Sequence, residues 1–149
     1  MNRRLALKLL SGVALSPARP ALAAGPQVQV FKNPSCGCCT GWVEHMAANG
    51  FSVSVTEVPD TAGPRKLASV PERLGSCHTA RVGGYAIEGH VPASDVRRLL
   101  NERPDAVGLA VPGMPVGSPG MEVPGGRREP YDVFLIEREG GTRLWSRHS

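Results

Sequence analysis

Three of the four cysteines of this 149-residue chain lie in one tetrapeptide, Cys36-Gly37-Cys38-Cys39. The tetrapeptide follows a short alternating apolar run, Val28 to Phe31, which is typical of a β-strand. Neighbouring cysteines cannot join distant parts of a fold, whereas thiolates held close together suit Cu(I), Zn²⁺ and dithiol exchange. The motif therefore predicts a fold that places a thiol site directly after a strand.

The N-terminus has the order of an export signal: a basic start, an apolar stretch from Leu5 to Leu15, and a small-residue cleavage pattern that ends at Ala23. We expect residues 1–23 to be a signal peptide that is cleaved near Ala23. The alternative, an amphipathic helix of the domain, would be interrupted by two prolines. The pair Arg3-Arg4 fits a twin-arginine signal only in part, so the export route stays open.

Removal of this leader would leave a chain without net charge. Four of the 17 basic residues and none of the 13 acidic residues lie in it, which leaves 13 of each sign. A neutral chain without a basic stripe lacks the electrostatic footprint of a nucleic-acid-binding protein. No other stretch has the roughly 20 apolar residues of a membrane span. The rest of the chain is long enough for one domain, so disulfides are optional for its stability.

The remaining sequence predicts alternating strands and helices. After the first strand we expect a helix, a strand, a weak helix, a hairpin and a helix, at residues 38–48, 51–55, 65–69, 77–91 and 93–103. This is the order of a thioredoxin-like α/β domain, which we assign to residues 24–103. In that fold the first strand leads into a helix N-terminus, where backbone N–H groups and the helix dipole lower the pKa of a thiol.

The spacing of Cys36 and Cys39 is that of a redox dithiol, in which Cys36 attacks and Cys39 resolves. A redox dithiol does not need Cys38. On a helix the side chains of Cys38 and Cys39 diverge by about 100°, which favours separate metal centres over a lone tetrahedral zinc ion.

The hairpin adds a fourth sulfur to the predicted site. If Gly83-Gly84 is a two-residue turn, Val82 pairs with Tyr85, and counting outward places Cys77 opposite His90. Directly opposed residues hold their Cβ atoms about 4.5–5.5 Å apart, so a thiolate and an imidazole can meet one ion.

The other histidines carry weaker arguments. We expect His78 to point to the opposite face from His90, and His45 to be solvated on its helix. A role for either as a ligand stays open, and His148 near the C-terminus carries no argument.

Residues 104–130 are rich in proline and glycine and have neither helical nor strand periodicity. They hold Met114 and Met121, each after a Pro-Gly pair. Thioether sulfur is a soft ligand that favours Cu(I), but methionine is also a common filler of irregular apolar gaps, so both interpretations stay open. Residues 131–137 and 142–147 predict a terminal β-hairpin. We therefore assign residues 104–149 to an extension packed on the same domain.

Four segments of the chain together resemble the CopG-type copper-resistance proteins, a family long catalogued as a domain of unknown function and typified by a Cys-x-Cys-Cys motif. The segments are 33–39, 77–80, 88–92 and 109–122, and the resemblance covers the chain from Val28 to about Trp145. It implies a periplasmic thioredoxin-like domain whose C-terminal extension helps to bind metal. It also implies several copper ions bridged by cysteine sulfurs, and interconversion of Cu(I) and Cu(II) during detoxification.

The resulting hypothesis is a monomeric periplasmic copper-binding oxidoreductase, with copper-efflux components as candidate partners. Its candidate catalytic residues are Cys36 and Cys39. Its candidate metal ligands are Cys36, Cys38, Cys39, Cys77, His90, Met114 and Met121. Three alternatives remain: a copper store or chaperone without turnover, a thiol-disulfide oxidoreductase that uses Cys36 and Cys39, and an exported fold held by two disulfides.

Overall fold

The computed structural model describes residues 25–149, so the predicted signal peptide at residues 1–23 lies outside the described residues. The strands are β1 (Gln27–Lys32), β2 (Ser52–Glu57), β3 (His78–Val82), β4 (Tyr85–Glu88), β5 (Gly108–Ala110), β6 (Tyr131–Ile136) and β7 (Thr142–His148). The α-helices are α1 (Gly37–Ala48), α2 (Ala62–Leu67) and α3 (Ala93–Glu102), and a 3₁₀ helix spans Glu72–Leu74. No helix in this part of the chain is long and apolar enough to cross a membrane.

All seven strands belong to one mixed sheet with the order β2-β1-β3-β4-β5-β6-β7. The pairs β1–β2 and β4–β5 are parallel, and the other neighbouring pairs are antiparallel. The α/β class expected from the sequence is confirmed. The predicted succession of strand, helix, strand, helix, hairpin and helix is present from β1 to α3.

Apolar side chains cover both faces of the sheet. On one face, α1 and α3 pack against the strands through Trp42, Met46, Val96 and Leu99, all of which are fully buried. These are inward positions expected from the helical periodicity. On the other face a smaller cluster joins the segment after α2 to the sheet; its buried members are Ala68, Val70, Leu74, Ala86, Ala110 and Ile136.

The turn after β1 is held by the side chain of Asn33. Its Oδ1 accepts a hydrogen bond from the N–H of Ser35 at 2.9 Å, and its Nδ2 donates to the carbonyl of Pro59 at 2.7 Å. The N–H of Cys36 donates to the carbonyl of Asn33 at 3.0 Å. Cys36 is the residue before α1, so Cys38 and Cys39 lie in the first turn of that helix.

The C-terminal extension continues the sheet. The hairpin of β6 and β7 confirms the predicted terminal hairpin, but the expectation that residues 104–130 lack a strand is wrong. β5 lies in this segment and pairs with both β4 and β6. β5 was missed because its three residues are too few to show an alternation of buried and exposed side chains, and all three are buried. Gly108 permits the pairing, because an added Cβ would lie 1.8 Å from the carbonyl oxygen of Ala86.

Candidate metal centre

Four cysteine sulfurs meet where the start of α1 lies beside the start of β3. The Sγ atoms of Cys36, Cys38, Cys39 and Cys77 all lie within 4.8 Å of one another. Cys36 and Cys39 form a disulfide across the first turn of α1, whereas Cys38 and Cys77 are free. The Sγ of Cys38 lies 3.5 Å from that of Cys36 and 3.6 Å from that of Cys77. The fold thus joins the tetrapeptide to the distant fourth cysteine.

His90 faces Cys77, as the hairpin count predicts. The register pairs Thr79 with Glu88, and just beyond it the Nε2 of His90 lies 3.0 Å from the Sγ of Cys77. The Nδ1 of His90 is 2.8 Å from the carbonyl oxygen of Pro119, which can only accept, so Nδ1 carries the proton. Burial lowers the pKa of His90 and favours the neutral ring, whose Nε2 lone pair is directed at the sulfur.

His78 lies closer to the cluster than the sequence predicts. Its ring centroid is 5.1 Å from that of His90, and its Nδ1 is 3.4 Å from the Sγ of Cys77. The expectation that it points away from His90 is wrong, because the regular strand alternation does not extend over these residues. β3 begins only at His78, and Gly89, which has a φ of +71°, ends the alternation after β4. Its ring is fully buried against Trp42, and Nε2 has no hydrogen-bond partner among the described residues.

Cys77 is shared by two groups of metal-binding atoms. It belongs to the four cysteines and also to a group formed with His78 and His90. Burial, and to a smaller extent the neighbouring Cys38, raises the pKa of the Cys77 thiol to about 12. The metal-free protein therefore holds this sulfur as a thiol, and a bound cation would have to displace the proton.

The remaining two histidines have other partners. The Nε2 of His45 accepts a hydrogen bond from the N–H of Ala93 at 3.0 Å, which caps the start of α3. His45 is half-buried, so the expectation of a solvated side chain is wrong. The Nε2 of His148 lies 2.7 Å from a carboxylate oxygen of Asp95, and its ring stacks on Tyr131.

The proline- and glycine-rich loop reaches the cluster through its backbone. The carbonyl of Pro119 accepts the hydrogen bond from His90. Gly120 has a φ of +87°, and an added Cβ would lie 2.5 Å from the carbonyl oxygen of Cys38. A side chain at this position would therefore separate the loop from α1.

The two candidate methionines each follow a loop residue that contacts the cysteine segments. The Oγ of Ser76 donates to the carbonyl of Gly113 at 2.5 Å, next to Met114. Met121 follows Gly120. The side chain of Met114 is 52% exposed, and Met121 is half-buried. Their roles as thioether ligands stay predictions.

A buried ion pair beneath Cys77 was not predicted from the sequence. Glu88 is fully buried and accepts hydrogen bonds from the N–H of Ser76 at 2.7 Å, the hydroxyl of Thr79 at 2.6 Å and Nε of Arg65 at 2.9 Å. Arg65 also donates to the carbonyl of Ser76 at 2.7 Å. The N–H and the carbonyl of Ser76, the residue before Cys77, are therefore both hydrogen-bonded to this ion pair. The one available signal was an acidic residue in an otherwise apolar strand.

The atoms assembled here fit a soft or borderline metal ion. The described form offers two thiols and two imidazoles, and reduction of the disulfide between Cys36 and Cys39 would add two more thiolates. Thiolate and imidazole suit Cu(I) and Zn²⁺, whereas Mg²⁺ and Ca²⁺ require oxygen ligands.

Comparisons with known proteins agree with this chemistry. A family model described as "Protein of unknown function, DUF411" matches residues 74–121. A solved structure described as "Copper resistance protein copG- Form 1" is 43% identical, with a TM-score of 0.77, over 82% of this chain and 96% of that one. The chain belongs to the CopG family. "Copper resistance protein copG- Form 2" is 42% identical, with a TM-score of 0.79, over 84% of this chain and 99% of that chain.

No curated protein matches the sequence. The segment matched by the family model includes Cys77, His78 and His90 together with both candidate methionines, and it leaves out the cysteine tetrapeptide. In this member of the CopG family, the fold brings the tetrapeptide to that segment.

The buried His78 should make this CopG-family protein sensitive to acid in its metal-free form. Burial, and to a smaller extent the neighbouring His90, lowers the pKa of His78 from 6.5 to about 3. The His78 side chain therefore binds a proton more readily in the unfolded chain than in the folded chain. We expect the free energy of unfolding to fall as the pH falls from 6.5 to 3, with His78 contributing about 1.4 kcal/mol per pH unit. Urea denaturation across this range measures the slope.

The variant His78→Phe keeps a ring against Trp42 and removes the titrating group. Its unfolding free energy should depend less on pH over the same range. The same slope in both proteins would contradict this account.

The ion pair between Arg65 and Glu88 should contribute strongly to stability. The change Arg65→Met leaves a fully buried carboxylate without its cation, and we expect it to lower the free energy of unfolding by about 3–5 kcal/mol. Replacing both residues by methionine should cost less than Arg65→Met alone, because no charge is then left buried. Chemical denaturation of the metal-free protein measures both values.

The matched control is Arg143→Met, which removes an exposed ion pair with Glu137 at 3.7 Å. It should change the free energy of unfolding by less than about 1 kcal/mol. Equal losses for Arg65→Met and Arg143→Met would show that burial of the pair has no effect on its contribution.

Proposed function

We propose that this protein binds copper through its cysteine cluster as part of copper resistance. The observation that carries the proposal is the meeting of four cysteine sulfurs within 4.8 Å, with the Nε2 of His90 3.0 Å from the Sγ of Cys77. Thiolate sulfur is a soft ligand that favours Cu(I). The names of the two solved relatives support copper over other soft ions.

The proposed site takes more than one copper ion. Three of the four sulfurs come from a single helical turn, and Cys38 contacts both Cys36 and Cys77. Such crowding favours bridging thiolates over one tetrahedral centre, since structural zinc sites usually draw on well-separated pairs of ligands. The proposed ligands are Cys36, Cys38, Cys39, Cys77, His90, Met114 and Met121. His78 joins them as a candidate because its Nδ1 lies 3.4 Å from the Sγ of Cys77.

The proposal includes interconversion of Cu(I) and Cu(II), with Cys36 and Cys39 as the electron donors. Oxidation of these two thiols to one disulfide releases two electrons and two protons, and the two electrons reduce two Cu(II) ions to Cu(I). The pairing of Cys36 with Cys39 supports this role, because these residues are positioned to form the product disulfide without movement of distant segments.

The finer architecture and the location also belong to the proposal. The strand order β2-β1-β3-β4, with α1 directly after β1, supports a thioredoxin-like unit at residues 24–103. Residues 104–149 then form the extension that helps to bind copper. We infer a monomer that is exported to the periplasm behind the leader at residues 1–23 and works with copper-efflux components.

A second candidate function is thiol-disulfide exchange. It is favoured by the partly exposed Cys36 and the fully buried Cys39, joined by a disulfide at a helix N-terminus. This asymmetry suits an attacking and a resolving cysteine. A copper store or chaperone would use the same ligands without any change of copper valence.

Loss of Cys77 should impair copper binding more than loss of any residue in only one donor group. We expect Cys77→Ser to reduce the copper bound by the reduced, anaerobic protein by at least about half, because this sulfur belongs to both groups of metal-binding atoms. Elemental analysis after gel filtration in Cu(I) measures the ratio of copper to protein. The control His148→Gln alters a residue whose partner is Asp95 and should load fully. Full loading of Cys77→Ser would overturn the assignment.

A change in copper valence distinguishes the proposed oxidoreductase from a copper store. When Cu(II) is added to the reduced protein, its paramagnetic resonance signal should disappear for two equivalents per chain that depend on Cys36 and Cys39. The variant Cys39→Ser should lose that capacity. If the Cu(II) signal persists while the metal-free protein reduces insulin disulfides, thiol-disulfide exchange replaces copper reduction as the function.

A further inference from the structure

The two free cysteines touch at the centre of the cluster. The Sγ atoms of Cys38 and Cys77 are 3.6 Å apart, and both residues are half-buried. The other two cysteines are already joined to each other. We propose that Cys38 and Cys77 close into a second disulfide, so that the fully oxidised chain has no free thiol.

The geometry requires little movement. A disulfide bond is about 2 Å long, so the two sulfurs must approach each other by about 1.5 Å. Both lie at the ends of short side chains, and rotation about each Cα–Cβ bond moves the sulfurs without moving the backbone. Cys38 belongs to α1, and Cys77 directly precedes β3, 39 residues later. The bond would therefore join two separate elements of the fold.

The competing pairings are less favourable. The Sγ of Cys36 lies 3.5 Å from that of Cys38, but only one residue separates the two, so their disulfide would close a small ring. Cys36 is also already bonded to Cys39. Cys39 is fully buried, and its Sγ faces the carbonyl oxygen of Cys77 at 3.5 Å. Cys38 and Cys77 are left as the pair that can react without breaking an existing bond.

A small-molecule disulfide can serve as the oxidant, and glutathione disulfide is the probe. The sulfur of Cys38 attacks it, which forms a mixed disulfide and releases one glutathione. The sulfur of Cys77 then attacks the Sγ of Cys38, which forms the protein disulfide and releases the second glutathione. The glutathione disulfide gains two electrons, and the two protein thiol protons leave with the two glutathione thiols.

The second disulfide would regulate the same site, a consequence that rests on the proposed function. In the doubly oxidised chain no thiolate is available, so Cu(I) has no sulfur anion to bind. Four electrons are then needed to prepare all four cysteines for copper. The chain would pass from an oxidised form that excludes copper to a reduced form that binds it as its surroundings become reducing.

The experiment oxidises the reduced, metal-free chain with glutathione disulfide, blocks the remaining thiols, and maps the peptides by mass spectrometry. Trypsin separates Cys77, on residues 74–81, from the other three cysteines, on residues 33–65. We expect these two peptides to become linked and the free thiols to fall from four to none per chain. Two thiols that stay free after Cys36 and Cys39 have paired would overturn the proposal.

Two variants identify the linked cysteine. The double variant Cys36→Ser, Cys39→Ser leaves only Cys38 and Cys77 and should still form the linked peptides. The variant Cys38→Ser should not form them. Linked peptides in Cys38→Ser would overturn the proposal, because they would place Cys77 in a bond to another cysteine. Fragmentation of the linked peptides from the unaltered chain gives the same assignment if the double variant does not fold.

Copper loading separates this proposal from the proposed function. The reduced chain should bind Cu(I), the doubly oxidised chain should lose that binding, and a phosphine reductant should restore it. If the linked peptides form but the reduced chain binds no copper, the disulfide stands and the copper function fails. If the reduced chain binds copper but the peptides never link, only the second disulfide fails.

Discussion

The position of Cys77 depends on the buried ion pair between Arg65 and Glu88. Burial of a carboxylate is costly unless hydrogen bonds and a cation compensate for lost hydration, and Glu88 has both. Burial alone raises its pKa, while its three partners oppose that shift. The pair binds the N–H and the carbonyl of Ser76, which hold the chain where β3 begins. The sulfur of Cys77 is thereby held just before β3, beside the start of α1, where it lies 3.6 Å from the sulfur of Cys38.

The parts of the site that follow from local rules were predictable from the sequence. Two glycines with positive φ form the turn between β3 and β4, and this turn leaves a single register. The approach of Cys77 to His90 follows directly from that register. The start of α1 after the cysteine turn was equally local, because the Asn33 turn and the apolar periodicity lie within the segment itself.

The parts that depend on distant contacts were not predictable. Arg65 and Glu88 are 23 residues apart, and the sequence around either residue does not indicate that it pairs with the other. β5 is too short for periodicity and exists because β4 and β6 supply its partners. His78 lies beside His90 because Gly89 ends the alternation, a backbone event that side-chain patterns do not record. The cysteine spacing itself suits a disulfide and a metal site equally well, so it could not decide the state of Cys36 and Cys39.

The contact between Gly120 and the carbonyl of Cys38 has a consequence for the order of events during synthesis. The cysteine tetrapeptide is made first, Cys77 some 40 residues later, and the loop that covers them later still. His90 follows Cys77 by 13 residues, but until the last third of the chain is made, three thiols lie at a helix start without the loop that covers them. Long-range contacts form slowly relative to local ones. The nascent chain thus passes through a period in which any oxidant or stray metal ion reaches these sulfurs before their own partners do.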